Sequence, residues 1–434
     1  MVYRLVSRRS LVSAAAVLAA PAVLRAAERK PEYVSTQTAL GLLRGARADG
    51  VDVYKGVAYG GDVSVLRRFL PAAPALAWRG VRDALAFGPA PIQPGQPTTD
   101  ENCLNLNVWA PSQAGTRRPV VFLLGGQSFA TGSAADPALD AAALAREHDL
   151  VVVAADHRLG LLGHLYLGEL GGGTYDRSGN QGLWDLRLAL RWVHDNITAF
   201  GGDPDKVILF GEGGGGARTT CLYAVPSAAP LFAGAAIGSG PVLRVGDQSH
   251  AAETTRLVLK TLGLGPADWR KLIDAPAADL LKAQQAIADM PPQGSDLGLA
   301  GFGPILDAEI LPHHPFDPAA PVSARKRPLL AGWSAADPEP VKLGMRTMIE
   351  RKTAQNAAPV YAYALEADGA TEGRLRAFLA GFAHTGRPAA DGQPDWSPYT
   401  PAGQAVMRIG AESRLEAIPP PPPPPHHRKR FGIL

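Results

Sequence analysis

A glycine-rich turn between a strand and a helix constrains this chain more than any other stretch of its sequence. The segment 206–224 reads KVILFGEGGGGARTTCLYA. Its apolar, β-branched start is typical of a buried parallel strand, and we expect a helix from Thr219 onwards. Gly211 and Gly215 stand two residues on either side of Gly213, which is the glycine spacing of the nucleophile elbow, G-x-S-x-G. The central residue of such a turn is held at positive φ above the sheet, but here it is a glycine and has no hydroxyl.

The sequence around this turn resembles the carboxylesterase type-B family of carboxylesterases, lipases and cholinesterase-like proteins. Residues 179–185 read GNQGLWD and residues 196–203 read NITAFGGD. The family has GNxGLxDQ and NIxxFGGDP at these places, followed by GESAGG at the elbow. Matches such as ENCLNLNVW at 101–109 extend the resemblance over nearly all of residues 33–410. It implies an α/β-hydrolase fold, in which helices flank a central, mostly parallel sheet, with a shortened helical cap near residues 251–300.

Hydrophobic patterning agrees with this fold class. Residues 119–124 and 150–156 are continuous apolar runs, as expected for central strands covered on both faces, and residues 135–148 between them are helical in character. An amphipathic crossover helix is expected just before the elbow, because one helical face carries Leu183, Leu186, Leu190, Val193 and Ile197. The order strand, helix, strand predicts right-handed βαβ units.

The resemblance also identifies where catalytic groups belong. An esterase of this kind needs a serine, a histidine, an orienting carboxylate and backbone N–H donors for the oxyanion. Gly213 stands at the nucleophile position, and Gln127, Ser128 and Gly214 stand at the oxyanion-hole positions. Asp337 falls at the acid position, where a relic acid and a plain turn residue before proline are both open interpretations. Ser128 is either a displaced nucleophile or a loop serine that forms hydrogen bonds.

No histidine occupies the place where the family has its catalytic one. That loop joins a late strand to the final helix, and here residues 366–373 read EADGATEG. Ten histidines occur elsewhere, and we interpret each as a structural or surface residue, including His384 on the helix that follows. Neither cofactor binding nor a metal site is expected. Cys103 and Cys221 lack metal-ligand spacing, and the sequence leaves open whether they form a disulfide or remain buried thiols.

The two ends of the chain differ from its middle. Residues 1–26 carry a twin-arginine pattern at Arg8 and Arg9, a short apolar stretch and an imperfect cleavage site, which indicates a signal peptide for bacterial twin-arginine export. Residues 418–434 are a Pro-rich, basic tail that we expect to be disordered. The formal charge of +3 depends on the leader. Its removal leaves 39 basic residues against 40 acidic ones, so nucleic-acid binding has no support.

The function expected from these features is a carboxylic ester hydrolase by descent that has lost catalysis. Non-catalytic members of the family serve as adhesion and carrier-like proteins, which favours a binding role in the periplasm or outside the cell. The partner would be a small apolar or ester-like ligand, or a protein, and the mature form would have no membrane span. The alternative is an active or weak carboxylic ester hydrolase with an altered mechanism.

Overall fold

The computed structural model describes residues 32–96, 98–113, 117–288, 302–366 and 371–418. The predicted leader, the tail beyond residue 418, the end of the cap and residues 367–370 of the expected histidine loop lie outside these ranges.

Thirteen strands in the described residues belong to one sheet. In chain order they are β1 (Glu32–Gln37), β2 (Leu42–Ala48), β3 (Val51–Ala58), β4 (Val81–Asp83), β5 (Asn105–Pro111), β6 (Arg118–Leu124), β7 (Val151–Ala155), β8 (Gly202–Glu212), β9 (Gly234–Gly238), β10 (Leu329–Ser334), β11 (Val360–Leu365), β12 (Ala405–Ile409) and β13 (Arg414–Ala417).

The sheet is parallel at its centre and antiparallel at its edges. Its spatial order is β1-β2-β3-β5-β7-β6-β8-β9-β10-β11-β12-β13, with β4 beside β2. Each pair from β7-β6 to β11-β12 is parallel. The pairs β1-β2, β2-β3, β3-β5, β5-β7 and β12-β13 are antiparallel, and β4 pairs parallel with β2. The apolar runs predicted as central strands are β6 and β7, and the run before the elbow is β8. The sequence therefore predicted the middle of the sheet correctly.

Ten α-helices occur in the part of the chain that the structure describes. They are α1 (Ala141–His148), α2 (Gly160–His164), α3 (Gly168–Gly171), α4 (Gln181–Asn196), α5 (Gly214–Ala224), α6 (Gln248–Thr261), α7 (Lys271–Asp274), α8 (Ala277–Ala288), α9 (Glu339–Thr353) and α10 (Thr371–Thr385). None of the helices in the described ranges is both long and apolar enough to cross a bilayer.

Side chains alternate along each strand, so the apolar central strands present apolar side chains on both faces of the sheet. Helices cover both of these faces. On one face, Phe122 and Leu209 pack with α4, α5 and α9. On the other face, Leu123 and Ile208 pack with α1 and α10. The apolar face predicted for α4 is buried as expected. A separate apolar cluster joins α2 to α6, α7 and α8, and the last three of these helices lie in the region predicted as the cap.

The start of α5 differs from the sequence-based prediction. We expected the helix from Thr219, because four consecutive glycines disfavour helix formation. The helix instead begins at Gly214, directly after the turn. Tertiary contact overrides the weak propensity there, since the Gly215 amide donates a 3.1 Å hydrogen bond to the Gly126 carbonyl oxygen.

Candidate active site

Gly213 occupies the turn between β8 and α5 with φ 54° and ψ −120°. Its amide donates to the Gly238 carbonyl oxygen at 2.9 Å, and its own carbonyl oxygen accepts from the Ala217 amide at 3.0 Å. A Cβ placed on Gly213 would meet nothing within 4 Å. The turn therefore has the positive φ that the spacing predicted, and there is open space where a side chain would project.

The glycines on either side of Gly213 allow strand and helix to touch. The backbones of Gly211 and Gly215 lie against each other, and a Cβ on Gly215 would overlap the Leu124 carbonyl oxygen at the end of β6. Any larger residue would force β6, β8 and α5 apart. This close approach is the physical reason for the G-x-x-x-G spacing that the sequence presents.

The loop of residues 125–132 closes over the first turn of α5. A Cβ on Gly214 would overlap the Gln127 carbonyl carbon and would stand 2.5 Å from the Ser128 amide nitrogen. The structure thus brings together the three residues that the sequence placed at oxyanion-hole positions. The side chains of Gln127 and Ser128 are exposed, and neither comes within 4 Å of the point where a Cβ on Gly213 would lie.

Arg218 holds this loop from the inside and was missed by the sequence analysis. Its buried guanidinium donates hydrogen bonds to the carbonyl oxygens of Gly125, Ser128 and Thr131, the last at 2.6 Å. Burial lowers the pKa of Arg218 to about 10, and the charge of Asp156 opposes that shift. Because one guanidinium binds three carbonyl oxygens of the loop, it stabilises the loop's backbone conformation. The sequence analysis had no signal for this role, because Arg218 stood just before the predicted start of the helix at Thr219.

Three further buried polar residues lie close to Arg218. Asp156 accepts a 2.8 Å hydrogen bond from the Ala134 amide, and burial raises the pKa of its carboxyl to about 7. Burial lowers the pKa of His157 well below its ordinary value and that of His164 to about 4. His164 Nδ1 donates to the Gly179 carbonyl oxygen at 3.1 Å. Both imidazoles are therefore neutral at pH 7 and are held within the fold.

Asp337 lies beside the elbow and also makes a turn. Its Oδ2 accepts from the Ser334 amide at 2.8 Å and from Ser239 Oγ at 2.5 Å. Ser239 follows β9 directly, and the preceding residue, Gly238, accepts the Gly213 amide. The Asp337 amide donates to the Ser334 carbonyl oxygen, as in a plain turn. These contacts are those of the plain turn residue, and the interpretation of Asp337 as a relic acid stays a prediction.

No histidine in the described residues has a hydrogen bond to Gly213 or to Asp337. His384 Nε2 donates to the His148 carbonyl oxygen at 3.0 Å, near the C-terminal end of α10. Glu372, at the other end of α10, is twelve residues away, or roughly 18 Å along the helix axis. His384 is therefore placed away from the elbow. His426 and His427 lie outside the described residues.

The remaining candidates have ordinary surroundings. Ser128 Oγ accepts from the Ala130 amide at 3.1 Å and lies 3.4 Å from Thr131 Oγ, so its hydroxyl belongs to the turn. Cys103 and Cys221 are buried free thiols, which decides between the two alternatives left open by the sequence. Among the described residues, no group of three His, Cys, Asp or Glu side chains is placed to hold a metal ion.

Glu212 directly precedes Gly213 and has few partners in the protein. Its exposed side chain lines a cavity at the end of β6 and β8 and makes no hydrogen bond or ion pair with another described residue. Partial withdrawal from water raises the pKa of the Glu212 carboxyl, and the negative charge of Glu372 adds to this effect. This environment could not be predicted from the sequence, because Glu372 and Arg376 lie on α10, far along the chain from Glu212.

A mostly parallel sheet covered by helices, with a sharp positive-φ turn after a central strand, defines an α/β-hydrolase. The family model described as "Carboxylesterase family" matches residues 31–363. The chain belongs to this family, which confirms the resemblance drawn from its motifs.

Relatives and solved structures agree with this assignment. The chain is 35% identical to the para-nitrobenzyl esterase of Bacillus subtilis (strain 168) over 312 residues, covering 69% of this chain and 62% of the relative. It is 33% identical to the fumonisin B1 esterase of Sphingopyxis macrogoltabida over 345 residues, covering 77% of this chain and 62% of that enzyme. The matches thus span less than two thirds of these relatives. The Geobacillus stearothermophilus carboxylesterase EST55 superposes with a TM-score of 0.80 at 30% identity, covering 89% of this chain and 98% of that one.

Proposed function

We propose that this member of the carboxylesterase family binds a small ligand beside its elbow without hydrolysing it. The observation that carries the proposal is the elbow itself, in which the residue at φ 54° and ψ −120° is Gly213. Acyl transfer of the serine type needs an oxygen at this point and a base to take its proton. A glycine supplies no such oxygen.

The surroundings of the elbow support the same conclusion. Asp337, at the acid position, has Ser239 and the Ser334 amide as partners and makes no hydrogen bond to a described histidine. The neutral His157 and His164 are buried, and His384 lies at the far end of α10. An acid without a histidine to orient cannot assist a nucleophile.

A hydrolase of altered mechanism is the alternative outcome. Ser128 would be its nucleophile, but that hydroxyl accepts from Ala130 and neighbours Thr131, with no hydrogen bond to a base among the described residues. A neutral alcohol without a base remains a poor nucleophile at pH 7. The geometry therefore favours binding over hydrolysis at Ser128.

The proposal places the mature protein in the periplasm or outside the cell. Arg8 and Arg9 precede a short apolar stretch in the leader, a pattern read by the twin-arginine export route. This part of the proposal rests on the sequence alone.

Labelling with a serine-directed fluorophosphonate probe tests the proposed loss of hydrolysis. The native chain and a Ser128→Ala variant are incubated with the probe, and a competent serine esterase serves as the positive control. We expect no labelling of the native chain above a heat-denatured sample. Labelling that disappears in Ser128→Ala would establish the altered hydrolase instead.

A further inference from the structure

Residues 76–87 form a largely exposed segment that includes β4 and is fixed against β2 and β3. β4 pairs with β2, and the Ala84 carbonyl oxygen accepts a 2.8 Å hydrogen bond from the Lys55 amide of β3. Nearer the start of the segment, the Trp78 amide donates to the Leu40 carbonyl oxygen at 2.8 Å. The segment therefore presents its side chains from a backbone that the sheet holds in place.

Three apolar side chains of this segment face solvent. The exposed fractions are 84% for Leu76, 55% for Val81 and 43% for Phe87. A single exposed apolar residue is ordinary on a protein surface, but here three of them occur within twelve residues of one fixed segment. Apolar groups gathered in this way are typical of surfaces that contact a protein or a membrane.

Both aromatic rings of the segment lie beside a cation. The Arg82 guanidinium carbon is 4.3 Å from the centre of the Trp78 ring, and Lys55 Nζ is 4.4 Å from the centre of the Phe87 ring. Cation–π attraction at such distances holds each positive charge next to its ring. Charged and apolar groups are thus adjacent on this surface.

The positive charge of the segment is not balanced locally. Its single acid, Asp83, is neutralised by Arg44, which donates to it at 2.7 Å and 2.8 Å. Lys55, Arg79 and Arg82 form no ion pair with a carboxylate in the described ranges. Without the leader, the chain has 39 basic residues against 40 acidic ones, so this excess of positive charge belongs to the segment and not to the whole surface.

Exposed apolar side chains flanked by cations fit the surface of an anionic membrane. Aliphatic and aromatic groups enter the boundary between headgroups and acyl chains, while Arg and Lys remain with the lipid phosphates. An acidic protein could supply the negative charge, but a protein interface has a larger apolar centre than three separated side chains provide. The combination therefore favours a lipid surface over a protein.

We propose that this segment attaches the protein to the surface of an anionic lipid bilayer. Leu76 and Val81 enter the headgroup boundary, and Arg79 and Arg82 contact lipid phosphates. Attachment of this kind is peripheral, and it weakens as salt screens the charges. The inference does not depend on the proposed ligand binding at the elbow.

Co-sedimentation with lipid vesicles tests the inference. Glu32–Leu434 form one compact unit, so the leader, which is itself cationic and apolar, is left off. Vesicles of phosphatidylglycerol mixed with phosphatidylethanolamine are compared, at low salt, with vesicles of phosphatidylcholine alone. Because each cation near an anionic surface strengthens binding roughly fivefold, we expect an affinity for the anionic vesicles that is higher by about tenfold or more.

Two double variants identify the segment responsible. Leu76→Ser combined with Arg79→Gln removes one apolar group and one cation, and it should lower the affinity for anionic vesicles by about fivefold or more. The matched control is Val322→Ser combined with Arg325→Gln, because Val322 is 77% exposed and Arg325 is an exposed arginine at the same spacing, just before β10. This control should bind as the native protein does. Thermal unfolding midpoints verify that both variants are folded.

Equal binding of the native protein to both kinds of vesicle would overturn the inference, as would no binding to either. Anionic binding that survives Leu76→Ser with Arg79→Gln, or that falls equally in the control, would assign the attachment to another part of the chain and overturn it too. Binding to soluble poly-glutamate without binding to vesicles would indicate an acidic protein partner instead. The proposed function is decided separately, by fluorophosphonate labelling and ester turnover.

Discussion

Gly214 lies against the peptide bond that joins Gln127 to Ser128, and a Cβ at this glycine would overlap the Gln127 carbonyl carbon. The family pattern GESAGG has an alanine at this place. In this chain the loop of residues 125–132 packs against the start of α5. The Arg218 guanidinium donates hydrogen bonds to three of the loop's carbonyl oxygens. Loop and elbow therefore fit each other only while residue 214 has no side chain.

Gly214→Ala should displace the loop and destabilise the fold. A methyl group forced into a packed contact typically costs about 1–3 kcal/mol. The measurement is the free energy of unfolding from a urea titration. Gly373→Ala is the matched control, because that helical glycine of α10 has open space around it and should become neutral or up to about 1 kcal/mol more stable. Equal effects of the two substitutions would show that the loop does not press on Gly214.

Gly213→Ser and Gly213→Ala should each destabilise the protein by about 1 kcal/mol or more, because a side chain at φ 54° is strained. Sterically, both fit, since a Cβ there meets nothing within 4 Å. Gly263→Ala serves as the control for positive φ in open space and should have a similar cost. The measurement is the thermal unfolding midpoint of each of the three variants, compared with that of the native protein. A stabilising serine would contradict this account, since it would mean that the elbow retains partners for a hydroxyl.

Asp156→Asn should change how stability depends on pH. The folded-state pKa of Asp156 is raised to about 7 from an ordinary 3.8, so the folded protein binds more protons than the unfolded chain between these values. Its contribution is therefore present at low pH and is lost as pH rises towards 7. The free energy of unfolding of Asp156→Asn should therefore rise relative to that of the native protein, by as much as about 4 kcal/mol between pH 4 and pH 8.

His157 and His164 act in the opposite direction, since their lowered pKa values make stability rise with pH below about 6.5. Comparing Asp156→Asn with native protein at each pH cancels their effect. Urea titrations at pH 4.5, 6 and 8 provide the free energies of unfolding of the native protein and of Asp156→Asn. A difference between the two proteins that stays constant with pH would mean that Asp156 is not held in a protonated form.

Replacing Arg8 and Arg9 by lysine should leave precursor in the cytoplasm. The twin-arginine route reads the arginine pair itself, so a change that keeps the charge still removes the signal. Immunoblots of periplasmic and cytoplasmic fractions compare the native leader with the double variant. Mature protein in the periplasm of cells that express the variant would argue against this route.

Elements with a local signal were predictable from sequence. The runs that form β6, β7 and β8 are apolar throughout, and the buried face of α4 repeats with helical period. The elbow could be located because its glycines have a fixed spacing and Gly213 needs positive φ. The sequence also indicated Asp337, although it could not show that Ser239 binds this carboxylate.

Contacts between distant segments could not be predicted in this way. Arg218 binds Gly125 across 93 residues of chain, and no periodic pattern specifies such a pair. Likewise, the cavity beside Glu212 exists because α1 and α10 meet the ends of β6 and β8 at a distance set by packing. Propensity also misplaced the start of α5, since its glycines are held by β6 and the loop above them rather than by local preference.

Ester turnover by the native chain and by Gly213→Ser tests the central claim most directly. The substrate is p-nitrophenyl acetate, release of p-nitrophenolate is followed by absorbance, and heat-denatured protein gives the background. We predict that neither protein exceeds this background, because the native elbow has no nucleophile and a restored serine has no base in contact. Turnover by the native chain that a serine reagent abolishes would contradict the claim, and turnover by Gly213→Ser alone would show that a histidine reaches the elbow after all.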